Sequence, residues 1–146
     1  MKVRDVMSIN AVRILTGASL RQASEMVAFS GASDLVVVDA NNSFVGVLSE
    51  GDMMRAVLPK MTEVIEAGGT LADTYQLFEE KGKQLADQPI DPYVIRSPIT
   101  LSPDDPLQKA AAVMVSKQIR RLPVIQDGKL LGTISRADVC RGVLNA

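Results

Sequence analysis

Histidine and tryptophan are absent from this chain of 146 residues, and Cys140 is its only cysteine. One thiol cannot form an intrachain disulfide, and the near absence of cysteine suits a reducing, cytoplasmic setting. With one cysteine and no histidine, the sequence offers neither a zinc ligand set nor a nucleophile–histidine pair. No paired acids, histidine base or metal cluster stands out, so no enzyme is expected and no cofactor is required. Aromatic residues make up only 3% of the chain, so the core must come from Val, Leu, Ile, Met and Ala, within a hydrophobic content of 47%. No apolar run approaches the roughly 18 residues that span a bilayer, and the N-terminus lacks the apolar stretch of a signal peptide. The formal net charge of −1 gives no reason to expect nucleic acid as a partner.

What the sequence does contain is a phrase written twice. Residues 46–58 read GVLSEGDMMRAVL and residues 132–144 read GTISRADVCRGVL, with Gly, Ser, Asp, Arg, Val and Leu identical at an offset of 86. Upstream the likeness continues at an offset of 87, LRQASEMVAFSGASDLVVV (20–38) against LQKAAAVMVSKQIRRLPVI (107–125). The one-residue slip falls in the turns DANNSF and QDGKL, where loop length is thermodynamically cheap. Each copy reads as a short extended segment (Val12–Leu15 or Ile99–Leu101), a helix near 19–30 or 106–117, two apolar strands, and a second helix opened by Ser49 or Ser135. Leu20, Ala23, Met26 and Val27, like Leu107, Ala110, Val113 and Met114, fall on one helical face. One such βαββα unit buries too little surface to be stable alone, so the two are expected to share a core.

The expected organisation is a first repeat over 1–58, an insert over 59–92 and a second repeat over 93–146. Pro59 ends the helix of the first repeat. The insert predicts one amphipathic helix, capped by Thr70 and Asp73, with Leu71, Tyr75, Phe78 and Leu85 as its apolar stripe. That helix would be either a strut across the paired repeats or a face for a partner. Charge is uneven. Residues 59–93 hold three basic and seven acidic side chains, whereas residues 94–146 hold eight basic and four acidic ones, so an anionic ligand would favour the second repeat.

Ser-x-x-Asp at a helix start has two readings. It makes a capping box, with the Ser oxygen on the N3 amide and the acid reaching back. It can also serve a nucleotide: a helix N-terminus and a hydroxyl accept phosphate, and an ionised Asp accepts from both ribose hydroxyls. Arg120 and Arg121, just before a buried strand, add forked donors suited to phosphate.

These residues resemble the CBS-domain (cystathionine β-synthase domain) family in its tandem form, the Bateman module. The resemblance rests on DVM (5–7), SPITLSPDDPLQKAA (97–111), IRRLPVI (119–125) and the two phrases GVLSEGD and GTISRAD. It implies an α/β (α+β) fold of two pseudo-symmetric βαββα repeats, with clefts that commonly take AMP, ADP, ATP or S-adenosylmethionine. Carried over by position, Asp52 and Asp138 would hold ribose and Ser49 and Ser135 would approach phosphate. Arg120 and Arg121 would favour phosphate, Val12 and Ile99 would line the adenine pockets, and Leu48 and Ile134 would flank the base or ribose. Asp34 and Glu50 stand where the second repeat has Arg121 and Arg136, so the two sites are not expected to be equivalent. The resemblance further implies a homodimer, with Met53, Met54, Val57 and Val139 on candidate faces, and a stand-alone regulatory role toward a separate, unidentified partner protein. The competing reading is a structural or interaction module with empty clefts.

Overall fold

The computed structural model describes all 146 residues. In chain order the elements are β1 (Arg13–Leu15), α1 (Leu20–Ser30), β2 (Asp34–Val38), β3 (Phe44–Ser49), α2 (Glu50–Val57), α3 (Met61–Glu66), α4 (Leu71–Leu85), α5 (Leu107–Ser116), β4 (Arg121–Gln126), β5 (Lys129–Ser135) and α6 (Arg136–Leu144), with short 3-10 turns at Val3–Asp5 and Asp91–Tyr93. Both repeats therefore follow the expected order. The opening strand of the first repeat, β1, runs parallel to β2, with Ile14 opposite Val37. Its counterpart in the second repeat shrinks to a single parallel bridge, Leu101 to Val124. The strands form a three-stranded sheet in the order β1-β2-β3 and a two-stranded antiparallel sheet of β4 and β5.

The chain divides into two compact units that do not follow the repeat boundaries. One comprises residues 1–15, 36–47 and 95–146, and the other residues 16–35 and 48–94. In the first unit the N-terminal segment is part of the second repeat's structure. Val3 is fully buried in a core with Leu101, Leu107, Ala110, Met114, Leu122, Val124 and Ile134. The Met1 carbonyl accepts from the Leu107 amide at 3.0 Å, and the Val3 amide donates to the Asp105 carbonyl at 2.9 Å. The first of these satisfies an amide at the start of α5, where Pro106 supplies no capping side chain. Further along, Ser8 and Thr133 exchange two backbone hydrogen bonds of 2.8 and 2.9 Å. Gly132 permits that approach: a β-carbon there would stand 2.2 Å from the Ser8 carbonyl oxygen.

In the second unit the end of the insert plays the matching part. The Gln88 and Ala86 carbonyls accept from the Leu20 and Arg21 amides, each at 2.9 Å, and the Ile90 amide donates to Ala18 at 2.8 Å. The first turn of α1 is completed by Ser19, whose hydroxyl accepts from the Gln22 amide at 3.1 Å while the Gln22 side chain accepts from the Ser19 amide. Leu20, Ala23, Leu35, Leu48 and Ile90 are the buried apolar residues of this unit.

The insert holds two helices where the sequence pattern predicts one, because six residues (Met61–Glu66) carry too little periodicity to signal α3. The predicted helix is present as α4, with the Thr70–Asp73 capping box. Its apolar stripe is not buried as a strut would require: Leu71 is 67% exposed and Tyr75 62%.

Candidate functional site

The first unit assembles most of the sequence-predicted residues at one end of a sheet. In the β4–β5 ladder Arg121 lies directly opposite Ser135, and Leu122 opposite Ile134. Side chains alternate along a strand, so Arg121, Thr133 and Ser135 share one face, and Leu122 and Ile134 share the other. The second face is the core. Ile134 is fully buried there, as is Leu48 in the other unit. Neither side chain can flank a base as expected. The period of two turns each away from its neighbouring serine, so both support the strand end that presents Ser135 or Ser49.

On the other face, Nη1 of Arg121 donates to Thr133 Oγ1 at 3.0 Å. Thr133 is 1% exposed, the one buried polar residue of the chain, and this contact explains how its hydroxyl tolerates burial. The sequence pattern did not single out Thr133. A guanidinium has five donors, so the bond leaves Arg121 most of its capacity. Arg120 is exposed, and its carbonyl accepts from the Arg136 amide at 3.1 Å. The Arg136 side chain points back along the chain, donating to the carbonyls of Ile119 (3.0 Å) and Met114 (3.1 Å), which satisfies carbonyls at and beyond the end of α5. Ile99 lies two residues before the Leu101–Val124 bridge, hence at this same end of the strands, and keeps 40% of its surface exposed. Val12 is half-buried, with its carbonyl accepting from the Val36 amide at 3.1 Å.

Ser135 and Asp138 form a closed capping box at the start of α6. The Ser135 amide donates to Asp138 Oδ2 at 2.9 Å, and the Asp138 amide donates to Ser135 Oγ at 3.1 Å. Oδ1 of Asp138 has only Arg141 nearby, at 3.6 Å, with that guanidinium side chain 72% exposed. One carboxylate oxygen and the Ser135 hydroxyl hydrogen are thus not committed to the cap.

The equivalent box in the second unit is tighter. Ser49 N donates to Asp52 Oδ2 at 3.0 Å, Ser49 Oγ donates to the same oxygen at 2.8 Å, and Asp52 N donates back to Ser49 Oγ at 3.1 Å. Arg55 then takes Oδ1 at 2.6 Å. Burial opposes ionisation of Asp52, but the Ser49 amide, the Ser49 hydroxyl and Arg55 outweigh it and hold the carboxyl below its ordinary value. Both oxygens of Asp52 are engaged. Arg55 and Arg141 were legible as identical residues of the repeated phrase, three positions after each Asp, although only the Ser and Asp were assigned roles.

The pattern of two βαββα repeats, each ending in a strand, a Ser-x-x-Asp box and a helix, is matched by the family model described as "CBS domain" at residues 3–59 and again at 90–145. This chain belongs to the CBS-domain family. Among solved structures, CBSX2 of Arabidopsis thaliana is 26% identical and superposes with a TM-score of 0.76 over 99% of this chain and 94% of that one. CBSX2 has also been solved in complex with AMP, matching at a TM-score of 0.75 and 23% identity over 99% of this chain and 96% of that one. The CBS domain pair of protein MJ0100, solved with 5′-methylthioadenosine and S-adenosyl-L-methionine, matches at a TM-score of 0.68 and 18% identity over 99% and 97% of the two chains. At such identities these likenesses establish the fold. Of curated proteins, MJ1225 of Methanocaldococcus jannaschii is 26% identical over 93% of this chain, which spans 40% of that protein's length. The A-adding tRNA nucleotidyltransferase of Aquifex aeolicus is 24% identical over 98% of this chain, which spans 14% of its length. No helix of this tandem CBS-domain protein is long and apolar enough to cross a membrane.

Proposed function

We propose that this CBS pair is a non-catalytic regulatory module that takes an adenosine-containing ligand, AMP, ADP, ATP or S-adenosylmethionine, at the Ser135–Asp138 end of the first unit. One observation carries the reading. In the second repeat the capping box leaves the Ser135 hydroxyl hydrogen uncommitted and Asp138 Oδ1 with no hydrogen bond, only the exposed Arg141 at 3.6 Å, with Arg121 directly across the ladder, whereas in the first repeat Ser49 and Arg55 hydrogen-bond the equivalent groups. Asp138 would accept from ribose hydroxyls. Ser135, Arg121, Arg120 and the N-terminus of α6 would receive phosphate, and Ile99 would contribute apolar surface to the base. Ser49 and Asp52 act mainly as a cap, the structural reading of the motif. The AMP bound by CBSX2 and the 5′-methylthioadenosine and S-adenosyl-L-methionine bound by MJ0100 support an adenosine-containing ligand as the class.

Regulation requires the ligand to favour one of two states seen by a partner. A homodimer through the second helices of the repeats is the simplest such state. Of the candidate side chains on α2 and α6, Met54 is well exposed at 62%, while Val139 packs against the first unit's core. The test is calorimetric titration of AMP, ADP, ATP and S-adenosylmethionine into the whole chain. Saturable binding of at least one, with a rise in melting temperature, is expected. No heat and no melting shift with any of them at millimolar concentration would leave an interaction module with empty clefts.

A further inference from the structure

The second unit contains a cleft that the adenosyl-ligand proposal does not use. It lies between the end of α2, the insert helix α4 and Tyr93, and offers about 460 Å³, the size of an ordinary small-molecule site. Arg55, Lys60 and Lys81 line it, against the single carboxylate of Asp52. The cations are not there by composition. Residues 59–93 hold three basic and seven acidic side chains. Two of those three bases line the cleft, and none of the seven acids does. Lys81 is held in place by Glu63 at 2.9 Å, with both side chains largely sheltered, and Arg55 by Asp52. Lys60 forms no close ion pair, and its charge acts on Glu63, whose carboxyl is held below its ordinary value chiefly by Lys81 and also by Lys60. The remaining wall is apolar, formed by the Tyr93 ring, Leu58 and Leu85.

The two repeats differ at the wall of this cleft. Ala56 on its wall is the counterpart of Gly142 in the first unit. At Gly142 the N-terminal segment packs so closely that a β-carbon would stand 2.4 Å from Val6 Cγ1. In the second unit the equivalent position carries a methyl group and is half-buried, Tyr93 stands on the cleft wall as the counterpart of Val6, and Lys60 and Lys81 of the insert line the cleft beside it.

We infer that this cleft is a second ligand site, for a small phosphorylated molecule, with the phosphate on Arg55, Lys60 and Lys81 and the organic part against Tyr93 and the leucines. Three cations on separate elements suit a group carrying about two negative charges. The inference stands independently of adenosine binding in the first unit.

The test is titration of inorganic pyrophosphate into the whole chain, the Lys60→Glu variant and the Asp138→Ala variant. Lys60 is exposed and makes no side-chain hydrogen bond or close ion pair, so its substitution should change the melting temperature little beyond the loss of its weak attraction to Glu63. The expected result is saturable binding at one site, weakened about tenfold or more by Lys60→Glu and unaffected by Asp138→Ala. Equal binding to wild type and Lys60→Glu would overturn the inference, as would no binding at millimolar pyrophosphate. Loss in Asp138→Ala alone would place the anion at the proposed adenosyl site and equally overturn it, while leaving that proposal standing.

Discussion

Gly132→Ala is expected to destabilise the protein by about 3 kcal/mol, lowering its melting temperature by roughly 10 °C. The added β-carbon would meet the Ser8 carbonyl oxygen at 2.2 Å, with the Ser8 carbon and Ile9 Cα at 3.0 and 3.2 Å. All three are backbone atoms, so no rotamer change relieves the clash. Relief requires separating β5 from the N-terminal segment, which breaks the paired hydrogen bonds between Ser8 and Thr133. Each such bond is worth about 1 kcal/mol, and overpacking adds about 1–3 kcal/mol. Thermal unfolding followed by circular dichroism checks it, and an unchanged melting temperature would show that the segment is not seated as described. Gly46 is the counterpart of Gly132 in the repeated phrase. Val47 and Ile95 exchange the equivalent pair of bonds at 3.0 and 2.9 Å, one residue after Gly46.

Arg121→Met should weaken AMP binding by about tenfold to a hundredfold, the worth of a charge-assisted hydrogen bond, while affecting 5′-methylthioadenosine much less. Methionine retains an unbranched apolar stem and removes only the donors. AMP carries a phosphate for those donors to meet, and 5′-methylthioadenosine keeps the adenosyl part with a neutral thioether and no anionic group, whereas S-adenosylmethionine would still offer its carboxylate. The substitution also leaves the buried Thr133 hydroxyl without its 3.0 Å donor. That structural damage would reach both ligands alike, so the ratio of the two affinities isolates the phosphate contact. A parallel loss for both would assign Arg121 to holding Thr133 and remove it from the ligand site.

The order and type of the repeat elements were legible because each carries a strong local signal: helical spacing from Leu20 to Val27 and from Leu107 to Met114, runs of β-branched residues, and Ser-x-x-Asp at two helix starts. What was illegible depended on partners far away in sequence. Nothing local marks Val3 as a core residue of the second repeat, since its neighbours Lys2 and Arg4 are exposed and pair with Asp104. Leu71, Tyr75 and Phe78 have the spacing of a buried face, yet they lie on the surface, because periodicity records amphipathicity and not what covers it. Within the site, Ser135, Asp138 and Arg121 fall together as the motif suggested. Ile134 and Leu48 do not join them, since adjacent strand residues face opposite ways. The difference between the two Ser-x-x-Asp boxes was invisible in the motif, which is identical in both. It lies in the arginine three residues on, 2.6 Å from Asp52 but 3.6 Å from Asp138.

That difference makes the central claim directly measurable. AMP should be titrated into the wild type, Asp138→Ala and Asp52→Ala in parallel, with melting curves on each. Both variants lose a capping carboxylate and should lose about 1 kcal/mol of stability. The account predicts that Asp138→Ala abolishes AMP binding and that Asp52→Ala leaves it within about twofold of wild type. Binding that survives in Asp138→Ala and disappears in Asp52→Ala would contradict it.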